Sequence, residues 1–234
     1  MLRSLRNRGL ARLIETQPRL FLRLKGLASH PIANAPEFLR LHAQMVREGE
    51  GMQLLLERYN LWAQGRRVAG QPGAWAEVGV YRGGSARILC EVKGDAPLHL
   101  FDTFGGMPAV NPATDGAFRP GDFADSSLAH VQTYLAAYPG VHYHAGIFPA
   151  SAAALARENP MFQFVHLDVD LHQSTLDGLR FFYPRLAPGG LLVSHDYGDP
   201  TVPGVRRAFD EFLREQPAVL TRLSGTQVLL EKSP

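Results

Sequence analysis

Between residues 36 and 62, apolar positions recur three and four apart: Phe38, Leu39, Leu41, Met45 and Val46, then Met52, Leu54, Leu55, Tyr59 and Leu61. That is the period of helices with one buried face. Residues 1–70 are expected to form a helical cap without a core of its own. From Ala74 the pattern changes to short apolar runs alternating with helical stretches and punctuated by Gly and Pro, which predicts a parallel α/β sheet. Strands are expected at 74–78, 98–102, 141–145, 162–168 and 190–195, with helices near 84–93, 125–137, 150–158, 174–186 and 203–216. Ser174 with Asp177 resembles a capping box opening one helix, and Pro188-Gly189-Gly190 reads as its stop. VLTRLS and TQVLLE, joined through Ser224-Gly225, leave no room for a crossover helix and predict an antiparallel hairpin. A mostly parallel sheet with helices on both faces, closed by such a hairpin, suits the Rossmann-like class I methyltransferase variant of the doubly wound fold. The expected division is a cap over 1–70 and a catalytic domain over 71–234.

Composition narrows the class. The 234 residues are 45% hydrophobic and 20% charged, with a net charge of +2. That surplus is too small to imply a nucleic-acid binder. It is also uneven: Arg3, Arg6, Arg8, Arg12, Arg19, Arg23 and Lys25 stand against Glu15 alone in residues 1–25. The remainder is net acidic, so an anionic surface would meet the N-terminus. The basic start has some likeness to an Arg-rich presequence, but a surface helix docking on its own domain or a partner subunit accounts for it more simply. Arg12, Glu15 and Pro18 interrupt any secretory h-region. No apolar run is long enough to span a membrane. The lone Cys90 excludes an internal disulfide framework and a zinc-thiolate cluster, and it fits a reducing cytoplasm. An apolar face on residues 36–62 would favour a homo-oligomer.

The first strand runs into Glu77-Val78-Gly79-Val80-Tyr81-Arg82-Gly83-Gly84-Ser85, placing glycines at the first strand-to-helix turn, where a ligand can approach the backbone. The spacing is not G-x-G-x-x-G. Glu77, two residues before Gly79, can accept from an ammonium, and Asp102 closes the second strand at the distance where an acid meets ribose hydroxyls. A ribose plus an α-amino group indicates S-adenosylmethionine, with Tyr81, Ser85, Thr103 and Asp168 beside it. Asp168 and Asp196 close the fourth and fifth strands. If those strands are neighbours, about 4.8 Å apart, the two carboxylates emerge side by side and need a cation such as Mg²⁺. Asp170 and His195 are further candidates, although His195 can join Asp196 only if the strand end is distorted. His144, His172 and His195 are candidate general bases, with His142 and His166 read as structural. Residues 105–123 are long and polar enough to be a lid.

The blocks EVGVYRGGSA, FDTFGGMP, GDFADS, FVHLDVDLHQST, YPRLAPGG and HDYGDPTVPGVRRAFDEF resemble, in order, those of the macrocin O-methyltransferase (TylF-type) family. The likeness covers about residues 74–214. It implies a metal-dependent, S-adenosylmethionine-using O-methyltransferase acting on a sugar hydroxyl of a natural product. By position it implies that Glu77, Gly79 and Gly83 line the cofactor loop, Asp102 takes the ribose, and Asp168 and Asp196 bind the metal. The chain departs from the family where it has His195 instead of Asp and His172 instead of Tyr. A His ligand would shift preference from Mg²⁺ toward Mn²⁺, Fe²⁺ or Zn²⁺. A nicotinamide-dependent dehydrogenase and a catalytically silent cofactor-binding module are the alternative readings. Nucleic-acid methylation is disfavoured, because the catalytic domain is net acidic and the basic tail has few aromatics for base stacking.

Overall fold

Prolines open two of the N-terminal helices and the 3₁₀ turn between them, since a residue without an N–H costs nothing in a first turn. The computed structural model describes residues 2–233. The chain begins with α1 (Leu2–Thr16), α2 (Pro18–Leu24), a 3₁₀ turn at Pro31–Asn34, α3 (Pro36–Glu48) and α4 (Leu55–Val68). Pro18 and Pro36 stand at the starts of α2 and α3, and Gly49, left-handed at φ 78°, ends α3. Contrary to the expectation of a cap without a core, Ala11, Ile14, Phe21, Leu22, Ile32, Phe38, Leu39 and Ala43 form a buried cluster of their own. The reason is that α1 folds back along α3, with α2 and the 3₁₀ turn closing the cluster, and supplies a second apolar layer. Phe38 sits at its centre, stacked on His42 (5.9 Å) and edge-on to Tyr59 (5.3 Å). The side chain of Arg3, part of the basic run, lies outside the described residues. By contrast, α4 belongs to the sheet: Leu61 and Val68 are buried with Trp75, Phe164 and Leu191. Gly65 is required there because a Cβ would lie 2.8 Å from Val92 and 3.0 Å from the Trp75 ring.

The remaining elements are β1 (Ala74–Val78), α5 (Gly84–Val92), β2 (Leu98–Asp102), α6 (Leu128–Tyr134), β3 (Val141–Ala145), α7 (Ala153–Glu158) and β4 (Phe162–Leu167). They are followed by α8 (His172–Phe182), β5 (Leu186–Ser194), α9 (Pro203–Glu215), β6 (Leu220–Arg222) and β7 (Val228–Glu231). The sheet order is β3-β2-β1-β4-β5-β7-β6. The first five strands pair in parallel, and β7 is antiparallel to both β5 and β6. This is the expected class I methyltransferase sheet with its closing hairpin. One face packs under α8 and α9 through Phe162, Phe182 and Phe209, and the other under α4, α5 and α6 through Trp75, Ile88 and Val131.

Two local expectations are corrected. Helix α8 starts at His172, not Ser174, and no side chain of its own caps it. The Asp115 carboxylate, reaching over from the 105–123 segment, accepts from the His172 N–H at 2.8 Å. Pro188-Gly189-Gly190 does not stop a helix, because it lies inside β5, after a 3₁₀ turn at Tyr183–Arg185 has already ended α8. None of the described helices is long and apolar enough to cross a membrane, and Cys90 is a buried free thiol.

Candidate active site

The chain order reverses at β1: β2 lies on one side and β4 on the other, opening a crevice beyond the strand ends. A cavity of about 490 Å³ occupies it. On the β1 side the turn is shaped by close backbone approach. Gly79 has φ 85°, and a Cβ there would fall 1.8 Å from the Asp168 carbonyl oxygen. Gly84 opens α5 against Gly51, whose Cα would be 2.5 Å from any added Cβ. Tyr81 holds a left-handed φ of 50° without being glycine. What holds it is Asp102: Oδ2 accepts from the Val80 and Tyr81 amides at 2.7 and 2.9 Å, and Oδ1 accepts from Phe104 at 2.7 Å. Gly79, Tyr81, Ser85, Asp102 and Thr103 line the cavity, with the Thr103 hydroxyl donating to Gly106 O at 2.6 Å. Gly83, left-handed at φ 86°, is the N-cap of α5.

Glu77 is placed differently from the expectation. Its side chain is fully buried, lies 2.7 Å from His166 Nδ1 and does not line the cavity. Parallel register explains this, since Glu77 and His166 are partners across β1 and β4. Burial, with the Asp102 charge adding to it, pushes the Glu77 carboxyl up to about 8. Burial also lowers the fully enclosed His166 to about 4.

On the other side of the crevice Asp168, His195 and Asp196 come together. Strand β5 ends at Ser194, and Asp196 takes a left-handed φ of 60°. That distortion turns both side chains toward β4. His195 Nδ1 lies 2.8 Å from Asp196 Oδ1 and 3.4 Å from Asp168 Oδ1, while Nε2 lies 3.1 Å from Glu57. Burial disfavours a charge on His195, but the Asp168, Asp196 and Glu57 carboxylates outweigh it and push its pKa up to about 12. Asp170 stands beside them at φ 59°, and burial with the Asp168 and Asp196 charges raises its carboxyl well above the usual range. Several carboxylates this close favour a bound cation, and one ligand atom from each of Asp168, His195 and Asp196 lies within 4.8 Å of the others. The donor set of two hard oxygens and one imidazole fits a divalent ion.

The other two candidate bases stay outside the cavity. His144 is stacked on Phe101 at 4.4 Å and bonded to His99 at 3.0 Å on the edge of the sheet. His172 faces Glu211 at 3.4 Å. His142, on the same edge strand, stacks on His99 at 5.0 Å. The 105–123 segment packs over the crevice, contributing Met107, Pro108 and Phe118 to its wall. It is tied down by Asp115, which is only 3% exposed, and by Arg207, which donates to Ala113 O at 2.6 Å. Met52, Leu54 and Ile147 are exposed apolar side chains at the rim of the same cavity.

A family model described as macrocin O-methyltransferase (TylF) matches residues 60–224, both strand-end clusters included. The chain belongs to the TylF family. Among curated relatives it is similar to the 8-demethyl-8-(2,3-dimethoxy-alpha-L-rhamnosyl)-tetracenomycin-C 4'-O-methyltransferase of Streptomyces olivaceus, 30% identical over 143 residues, 55% of this chain and 54% of that protein. The mycinamicin III 3''-O-methyltransferase of Micromonospora griseorubida is 29% identical over 160 residues, 61% of each. The match thus spans little more than half the length of these relatives. Among solved structures, the calicheamicin methyltransferase CalS11 superposes with a TM-score of 0.68 at 23% identity, covering 96% of this chain and 90% of that one. The O-methyltransferase NovP gives 0.64 at 23%, covering 77% and 81%. These structural likenesses bear on the fold, and with family membership they set the dehydrogenase reading aside.

Sequence reasoning missed several residues of this TylF-family site. Glu57 is 2% exposed and accepts from the Leu54 N–H at 2.8 Å and from the Thr226 N–H and hydroxyl at 3.3 and 3.1 Å. Gln53 Nε2 donates to Asp168 Oδ2 at 2.9 Å and lies 3.4 Å from His166 Nε2. The only available signal was a Glu three residues after Leu54, the N-terminal signature of a helix, and it carries no chemistry by itself.

Proposed function

We propose that the chain transfers a methyl group from S-adenosylmethionine to a hydroxyl of a sugar carried by a natural product, with a divalent ion held by Asp168, His195 and Asp196. The observation that carries this reading is one cavity joining the Gly79–Gly84 turn and Asp102 to the Asp168–His195–Asp196 cluster. Family membership and the sugar O-methylations named for the curated relatives support it. In this reading the turn receives the amino-acid end of the donor and Asp102 fixes the turn while facing the ribose. A divalent ion bound by the cluster supplies charge that lowers the pKa of an acceptor hydroxyl. Of the three candidate bases only His195 lines the cavity, and with one nitrogen toward the ion and the other beside Glu57 its part is to hold the ion, not to take the acceptor's proton. The chain's main contribution is alignment, because the sulfonium is already a good leaving group and the in-line approach of oxygen to methyl carbon is what must be arranged. The apolar rim of Met52, Leu54 and Ile147 gives the body of the natural product a surface to lie on, and the basic N-terminal helix faces an anionic surface or a second copy of the chain.

The test is transfer to the tetracenomycin and mycinamicin glycosides of the curated relatives, with and without EDTA, alongside calorimetry with S-adenosylhomocysteine. Expected are cofactor binding in both conditions and transfer only with metal. Asp168→Asn should lose transfer likewise. Full activity in excess EDTA would remove the ion from the mechanism, and absence of cofactor binding would remove the methyltransferase reading itself.

A further inference from the structure

The segment linking α3 to α4 belongs to the N-terminal cap, yet it reaches the acid cluster. Three contacts fix its course. Glu50 pairs with Arg82 at 2.9 Å, Gly51 lies against Gly84, and the buried Arg58 donates to the Glu50 and Gly51 carbonyls at 3.2 and 3.0 Å. So anchored, the chain points Gln53 inward between its two exposed neighbours, Met52 and Leu54, and one turn later sets Glu57 against His195.

We propose that Gln53 and Glu57 are positioning residues for the ion site, fixing which atoms of Asp168 and His195 face the ion. The proposal rests on the metal reading above. The imidazole offers two nitrogens, and a ligating histidine commonly gives its other N–H to a carboxylate. Here Nε2 lies 3.1 Å from Glu57 Oε2, within ion-pair reach, and Nδ1 is the nitrogen turned toward the acids. Asp168 offers two oxygens, and Oδ2 is taken by the Gln53 amide at 2.9 Å, which leaves Oδ1. The atoms left over are the ones that converge: His195 Nδ1 is 2.8 Å from Asp196 Oδ1 and 3.4 Å from Asp168 Oδ1. Neighbouring ligands of an octahedral ion bound at about 2.1 Å are separated by about 3 Å, so these spacings suit one ion. Glu57 is itself held by the Leu54 and Thr226 amides and the Thr226 hydroxyl, so its carboxylate cannot swing toward the ion without losing three bonds. The extension thereby acts on the site through other residues, and the cofactor turn does not depend on either side chain.

The experiment is Mn²⁺ titration of the full chain followed by the electron paramagnetic resonance of free Mn²⁺, with S-adenosylhomocysteine calorimetry and thermal melting on the same samples. Gln53→Leu keeps bulk and removes the donor; Glu57→Gln keeps shape and removes the charge. Each is expected to weaken Mn²⁺ binding by about tenfold to a hundredfold while cofactor affinity stays near wild type; Gln53→Leu should melt near wild type, and Glu57→Gln lower, because its amide nitrogen meets a donor from which the carboxylate accepted. Gln53→Asn, with a shorter amide that does not reach Asp168, should behave like Gln53→Leu. Mn²⁺ affinity within twofold of wild type in both Gln53→Leu and Glu57→Gln would overturn the proposal, as would parallel loss of cofactor affinity, which is the mark of general disruption. A wild-type chain that binds no Mn²⁺ would instead overturn the metal reading, and this inference with it.

Discussion

Replacing Asp102 with alanine tests the cofactor side of the site, and its cost can be worked from contacts. The carboxylate accepts from the Val80, Tyr81 and Phe104 amides at 2.7, 2.9 and 2.7 Å. A hydrogen bond to a charged group is worth about 1.5–3 kcal/mol. Val80 is 2% exposed, so its amide has no substitute partner, whereas Tyr81 and Phe104 are half-buried and regain part of their bonds from water. Taking the first in full and each of the others at about half gives a destabilisation of about 3–6 kcal/mol. The turn also loses what holds Tyr81 at φ 50°, a conformation that a non-glycine residue leaves when released. If cofactor binding must then reorder the turn at about 2 kcal/mol, S-adenosylhomocysteine affinity falls about thirtyfold. Urea unfolding measures the first quantity and calorimetry the second. Asp102→Asn, with one acceptor oxygen in place of two, should fall between. A stability loss below about 1 kcal/mol would refute the reasoning on the turn. A full stability loss with unchanged cofactor affinity would confine Asp102 to the fold.

Three other outcomes follow from the packing. Burial lowers His42 to about 3 from 6.5, so the unfolded chain takes up that proton first as pH falls; the stability His42 contributes is present above pH 6.5 and is lost toward pH 3. The slope is at most about 1.4 kcal/mol per pH unit, and His42→Phe should flatten it in urea unfolding at pH 7, 6 and 5; an unchanged slope would rule His42 out as the source. Gly84→Val places a Cβ 2.5 Å from the Gly51 Cα, backbone against backbone, and should cost about 1–3 kcal/mol as a melting-temperature loss. A melt like wild type would show that the 49–54 segment moves freely. Deleting residues 1–25 strips Ala11, Ile14, Phe21 and Leu22 from the small N-terminal core. Melting should fall while S-adenosylhomocysteine affinity stays, and a loss of affinity would show that the extension reaches the cofactor turn.

Periodicity and turn residues carried most of the fold. The boundaries of β1, β2 and β3 match the apolar runs, and the hairpin at β6 and β7 could be read because Ser224-Gly225 leaves room for nothing but a turn. These are local matters, decided by side-chain alternation and backbone freedom within a few residues. Strand-end acids were legible for the same reason: Asp102, Asp168 and Asp196 end runs whose register any parallel sheet would align. What the acids face was not legible. Glu77 was read as a ligand contact, but its pairing with His166 across β1 and β4 buries it outside the cavity. His144 and His172 are near strand and helix ends in sequence and away from the cavity in space, because the face of an edge strand is settled by what packs behind it. The positive φ of Asp196, at the strand end where His195 meets Asp168, has no signature in a non-glycine residue. Gln53 and Glu57 are more than a hundred residues from Asp168 and His195, the strand-end groups they face. Their meeting depends on Gly51 docking on Gly84 and Arg58 gripping the Glu50 and Gly51 carbonyls, contacts that exist only once the N-terminal helices have closed against the sheet. The chain order determined the elements and their chemistry, and long-range packing decided which of those groups share one space.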